Sequence, residues 1–252
     1  RYLIPENATG SVSANNCTDS VTGADLPDLS SDGNFNDSDD GAEIVSPVTT
    51  MVEKLVAAGA TRAEARASTA QVLGVAESDL DKDPVTTPSL QKAAAKVVSV
   101  IQMVSDNGGN ANTAYDALVG AVNANRTSGN PVSVDAILQD STVITAMGAS
   151  ADKVSTIVSA STEVITGINN ISDSGTNAVS QIAGAVKAVK DQVSTGIADG
   201  TIDNTNVGAT VAAEVSNGIN NISATLDVTP VDTAPPAPQQ PGTGLAGGSA
   251  SN

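Results

Sequence analysis

Between Ser46 and Leu226, apolar residues return at steps of three and four, and capping residues and glycines divide the pattern into segments. That periodicity predicts a mainly α-helical protein, a bundle or a stack of helical hairpins. Ser46-Pro47 supplies an N-cap and a proline at the first helical position, and Val48, Met51, Val52, Leu55 and Val56 follow at helical spacing up to Gly59. Thr61 and Glu64 form a capping-box pair that opens a second helix through Val72 and Leu73 to Gly74. Residues 46–85 are therefore expected to form a helical hairpin.

Residues 86–227 are expected to continue as a helical bundle. The pattern predicts a helix over 89–105, with Ala93, Val97, Val98, Ile101 and Val104 on one face, and another over 111–123 around Tyr115, Leu118 and Val122. A further helix runs from Pro131 toward Met147. Three longer seams follow: Val154 to Ile171, Val179 to Val193, and Val207 to Leu226. Their Val, Ile and Thr content favours strands by propensity, but strands require alternation, and the sustained helical spacing decides for helix. Gly167-Ile168-Asn169-Asn170-Ile171-Ser172 reappears as Gly218-Ile219-Asn220-Asn221-Ile222-Ser223. The echo reads either as a duplicated hairpin or as a coincidence of biased composition.

The two ends break the pattern. Residues 1–27 mix Asn, Ser, Thr, Gly and Pro and read as an extended arm, with a short strand at Tyr2-Leu3-Ile4. Residues 228–252 read as a Pro/Gly-rich tail, a composition that resists packing on its own.

Residues 28–45 carry the sharpest candidate chemistry. With Asp28 at position 1 of a calcium-type loop, Ser30 falls at 3, Asp32 at 5, Gly33 at 6, Asn34 at 7, Asn36 at 9 and Asp39 at 12. Side-chain oxygens of Asp28, Ser30, Asp32 and Asp39, the Asn34 carbonyl, and Asn36 or water would surround a structural Ca²⁺. The plainer reading is a solvated acidic turn. Pro27 argues against an incoming helix, which makes this a half-hand.

Composition narrows the function classes. The hydrophobic fraction of 40% suffices for a core, yet one Phe, two Tyr and no Trp leave the packing to Val, Ile, Leu and Ala. Eleven basic residues against 28 acidic give a net charge of −17, which argues against nucleic acid and anionic lipid as partners. No apolar run approaches the roughly 20 residues of a membrane span. The single cysteine, Cys17, excludes an internal disulfide framework. There is no histidine for a triad or proton shuttle, so an enzyme is not expected; a hydrolase would have to use carboxylates alone. The chain opens at Arg1 and reads as a processed product or a fragment. Six Asn-x-Ser/Thr triplets begin at Asn7, Asn16, Asn36, Asn125, Asn170 and Asn221, a number expected by chance in so Asn-rich a chain.

The acidic loop followed by Ile44-Val45-Ser46-Pro47-Val48-Thr49-Thr50, then Gly59, Glu64-Ala65, Leu73-Gly74, Leu80 and Asp83-Pro84, resembles a module of large bacterial cell-surface and adhesin-type proteins. In that module, calcium-loop or β-sandwich repeats lead into a helix pair; Val48 stands where leucine is usual. The resemblance covers residues 28–85. It implies an extracellular or cell-surface location and transfers no catalytic residue. Two functions are expected: a subunit of an extracellular filament, surface layer or matrix that forms a homo-oligomer or homopolymer through arm and tail, or a helical adhesion or ligand-binding module.

Overall fold

The computed structural model describes residues 12–19, 22–31, 44–84, 86–174 and 177–221. Tyr2, Leu3 and Ile4, the acidic residues from Asp32 to Asp39, Ile222, Leu226 and the 228–252 tail lie outside them. The mainly α-helical expectation holds: apart from a two-stranded ribbon, the described elements are helical.

Helix α1 (Pro47–Ala57) starts as its residues dictate. Ser46 Oγ accepts the Thr49 N–H, and Thr49 Oγ1 accepts the Ser46 N–H at 2.9 Å. Helix α2 (Arg62–Leu73) repeats the device with Thr61 and Glu64 and ends at Gly74, whose φ of 69° would strain a residue with a Cβ. Helix α3 (Pro88–Asp106) is followed by α4 (Ala111–Ser128), which Asn110 caps by accepting the N–H groups of Asn112 and Thr113. Helix α4 outruns the expected end at Asn123 by more than a turn and stops at Gly129.

The single helix expected from Pro131 to Met147 is two. Helices α5 (Val134–Leu138) and α6 (Ser141–Ala146) start at separate caps: Ser133 accepts the Ala136 N–H, and Asp140 accepts the Thr142 N–H at 2.7 Å. A short acceptor side chain in mid-pattern competed with the helical ladder and redirected the chain.

Helix α7 (Val154–Asn169) precedes a continuous rod made of α8 (Ala178–Ala188), a π-helical turn over Val189–Ser194 and α9 (Thr195–Asp199). The buried seam of this rod runs through Ala178, Ile182, Val186, Val189, Val193 and Ile197. Nineteen residues separate its ends, where five α-turns cover about 18. The π turn absorbs the extra residue and keeps the seam facing inward. Ala178 takes the buried place expected for Val179, which is only half-buried. Helix α10 (Val207–Asn220) lies against α7 and α8 through Val207, Val211 and Val215.

At the centre runs α3, which touches α1, α4, α5, α7, α8 and the π turn. Its expected single apolar face is an understatement: Val100, Ile101, Met103 and Val104 are all fully buried, together with the polar Ser99 and Gln102. A helix surrounded on all sides is apolar all round. One contiguous core joins the α1–α2 hairpin to the later helices, from Val48 to Val215.

Helix α10 approaches α8 backbone to backbone. A Cβ on Gly184 would sit 2.2 Å from the Gly218 carbonyl oxygen, and one on Gly218 would sit 2.4 Å from the Gly184 carbonyl oxygen. With almost no aromatic volume available, small residues let helix axes close the space instead.

Candidate functional site

The arm is the part of the chain that departs from helical packing, and its described portion is docked on the chain's own helices. Strand β1 (Val12–Ala14) pairs antiparallel with β2 (Leu29–Ser31) in the register Val12↔Ser31, Ser13↔Ser30, Ala14↔Leu29, and Thr18 bridges Asp25 inside the loop. Three helices hold this hairpin by side-chain bonds to its backbone. From α3, Gln102 Oε1 accepts the Asp25 N–H at 2.8 Å; from α4, Asn112 Oδ1 accepts the Asp28 N–H at 2.6 Å while its Nδ2 donates to Asp28 Oδ2 at 2.9 Å. From α1, Thr50 Oγ1 accepts the Ser30 N–H at 2.8 Å, and Thr49 and Thr50 hydroxyls lie within 3.3 Å of the Ser30 carbonyl.

Among the described residues, these contacts settle which strand edge is open. Because the Ser30 N–H points to Thr50, Ser13 and Ser30 form a non-hydrogen-bonded pair, and the Ser13 N–H and C=O point away from β2. The outer edge of β2 is thus closed by threonine hydroxyls, whereas the outer edge of β1 carries Ser13, which is exposed.

Gln102 belongs to a polar seam behind the hairpin, buried at Gln102, Asn107 and Ser194 and exposed at Asp106. Asp106 Oδ2 accepts from Gln102 Nε2 at 2.7 Å and from Ser194 Oγ at 2.6 Å, and Asn107 Nδ2 donates to the Met103 carbonyl at 2.7 Å and the Ser194 carbonyl at 3.3 Å. The seam pins the π turn to the end of α3, so arm, central helix and π turn are mechanically one unit.

Of the residues expected to ligate calcium, Asp28 and Ser30 are described; Asp32, Asn34, Asn36 and Asp39 are not. Leu29 and Ser31 point into the core, so Asp28 and Ser30 fall on the opposite face of the strand together. Asp28 Oδ1 accepts the Asn16 N–H at 3.2 Å and Oδ2 accepts from Asn112, and each carboxylate oxygen keeps a further lone pair. Two of the six candidate ligands thus share a face, with both Asp28 oxygens already accepting hydrogen bonds from the protein. Among the described residues, no group of three or more His, Cys, Asp or Glu side chains converges.

A second constellation was not anticipated from the sequence. Lys96, on α3, has a side chain only 9% exposed. Its Nζ lies 2.5 Å from Asp135 Oδ1 of α5 and 3.2 Å from Asn169 Oδ1 at the end of α7, while Asn169 Nδ2 donates to Asp135 Oδ2 at 3.0 Å. The three side chains close a ring. One turn earlier, Lys92 pairs with Asp173 at 2.6 Å and donates to the carbonyls of Asn169 and Ile171, a cation at a helix C-terminus. The signal available in the sequence was a lysine inside a helix apolar on every side, which folding tolerates only with a partner.

Tyr115, the one aromatic of the helical region, is fully buried on α4 and donates to the Pro47 carbonyl; burial holds its phenol well above the ordinary value of 10.0. No described helix is long and apolar enough to cross a membrane. Compared with known proteins, the chain matches no family model, no curated protein and no solved structure.

Proposed function

We propose that the protein is a non-catalytic structural subunit of an extracellular or cell-surface assembly, joined to further copies through its arm and tail and stabilised by Ca²⁺ on the Asp28–Asp39 segment. The observation that carries this reading is the asymmetry of the docked hairpin. Three helices fix the ribbon in place, α1 hydroxyls cover one of its edges, and the other edge presents the Ser13 N–H and C=O to whatever strand comes next. Strand addition to such an edge gives affinity through main-chain bonds and requires no catalytic group. The anchoring supports load transfer as well, because a strand pulled at β1 pulls on Gln102, Asn112 and Thr50, which sit on α3, α4 and α1. The high negative charge suits solubility outside the cell and affinity for divalent cations. The resemblance of residues 28–85 to bacterial surface modules points the same way.

Ser13→Pro tests the reading directly. Proline removes the outward N–H of the open edge without touching the core. The variant is expected to keep its helical circular dichroism and lose self-association; assembly equal to that of the unsubstituted chain would refute the edge as the joint.

A further inference from the structure

The ring of Lys96, Asp135 and Asn169 places an amine, a carboxamide and a bridging carboxylate in mutual contact, and it does so between elements remote in sequence. Asp135 lies 39 residues from Lys96, and Asn169 lies 73. We infer that Lys96 and Asn169 are joined in the mature protein by an intramolecular isopeptide bond, formed with Asp135 as the proton carrier. The inference stands whether or not the chain assembles.

Three features of the ring bear on amide exchange. The nucleophile is a lysine on the central helix whose side chain is 9% exposed, whereas Asp135 is 29% exposed and Asn169 stands at the exposed end of α7, open for ammonia to leave. Its Nζ is 3.2 Å from Asn169 Oδ1, and a carbonyl bond of about 1.23 Å puts the nitrogen no more than about 4.4 Å from Cγ. A near-attack arrangement needs about 3–3.5 Å, so the Asn169 amide must leave its hydrogen-bonded position, rotating about its last side-chain bond to turn the carbonyl face toward the amine. The carboxylate touches both reacting groups, Oδ1 at the amine and Oδ2 at the amide nitrogen, so one side chain can take the proton that must leave and supply the proton that must arrive. Lys92 does not compete for it, since Asp173 and the carbonyls of Asn169 and Ile171 occupy its ammonium.

The step balances. Lys96 passes a proton from its ammonium to Asp135, and the free amine attacks Asn169 Cγ. A C–N bond forms at Nζ and the Cγ–Nδ2 bond breaks. Asp135 returns the proton to Nδ2, which leaves as ammonia when the tetrahedral intermediate collapses, and the second proton of the attacking nitrogen passes to that ammonia, which departs as ammonium. No oxidant, reductant or cofactor enters. The product ties α3 to the C-terminal end of α7 in a chain whose single cysteine cannot form an internal disulfide, and it closes a large loop covalently.

Intact-mass spectrometry of the purified full chain is the test. The expected mass is that of the sequence less one ammonia, and proteolysis should release a branched peptide joining the segments that contain Lys96 and Asn169. Lys96→Arg, which keeps the charge opposite Asp135, should restore the full sequence mass. Asp135→Asn should do the same in a chain with unchanged circular dichroism. A wild-type mass equal to the sequence, or one raised by hydrolysis of Asn169 to aspartate, overturns the inference. So does an ammonia deficit that persists in Lys96→Arg, because cyclisation of an asparagine onto its own backbone would explain it. A bond formed equally well in Asp135→Asn overturns the role of Asp135.

Discussion

Gly184→Ala, one added carbon, should destabilise the fold although alanine is the better helix former. Gly184 lies in the middle of α8 where α10 crosses it, and the new Cβ would stand 2.2 Å from the Gly218 carbonyl oxygen and 3.0 Å from its carbon. Both obstacles are backbone, so no rotamer change relieves the overlap. Restoring an ordinary carbon–oxygen contact requires the helices to part by about 1 Å at this point, which loosens the buried layers of Ile182, Val186, Val211 and Val215 around it. Overpacking of this kind costs about 1–3 kcal/mol, and the helix-propensity gain of alanine offsets about 1 kcal/mol of that. A strained backbone-to-backbone contact belongs at the upper end, leaving a net loss of about 1–2 kcal/mol. For a fold of this size each kcal/mol moves Tm by about 2–4 °C. Gly120→Ala is the internal control. Gly120 is exposed within α4 and its Cβ would meet nothing within 4 Å, so the same chemical change should stabilise by about 0.5–1 kcal/mol. Urea unfolding followed by circular dichroism would read both, as midpoints moving in opposite directions with unchanged slopes. If Gly184→Ala unfolds at or above the wild-type midpoint, the close α8–α10 approach is wrong.

Leu118 is fully buried on α4, so Leu118→Ala should cost about 2–5 kcal/mol in the same urea titration. Gln102→Leu removes the acceptor for the Asp25 N–H and should leave helix content intact while limited proteolysis between residues 12 and 28 accelerates. The carboxylates of Glu64, Asp199 and Asp203 are held below their ordinary values of 4.5, 3.8 and 3.8, first by the Thr61 N–H, the Thr201 N–H and the Thr205 hydroxyl respectively. Their contribution is therefore present above those ordinary values and is lost as pH falls through the depressed ones, so Tm should hold from neutral pH down to about 5 and decline below about 4. Tyr115 runs the other way: its neutral form is favoured in the fold, so stability should fall once pH rises past about 10, and Tyr115→Phe should lessen that alkaline loss.

Local signals were legible where one residue type had one job. The caps at Ser46, Thr61 and Asn110 and the stop at Gly74 lie where capping chemistry puts them, because each satisfies backbone groups within a turn of itself. Asp140 shows the limit: its helical periodicity continued through Ile137 and Ile144, and only the competing N-cap bond to Thr142 divided the helix. The buried polar residues were illegible for a different reason. Gln102, Lys96 and Asn107 acquire meaning from partners on α5, α7, the π turn and the arm, and nothing within a few positions of them announces those partners. The composition of the arm reads as extended and turned toward other copies, whereas its hairpin is anchored to α3, α4 and α1 at Asp25, Asp28 and Ser30; asparagine, glutamine and threonine side chains make that docking, and their pairing is not periodic.

Self-association is the central claim, and the molar mass of the full chain measured by light scattering across a wide concentration range tests it most directly. With Ca²⁺ present the mass should climb to multiples of the 24.8 kDa chain and fall back toward it when a chelator is added. A mass that stays at 24.8 kDa at the highest concentration, with calcium and without, would contradict the account.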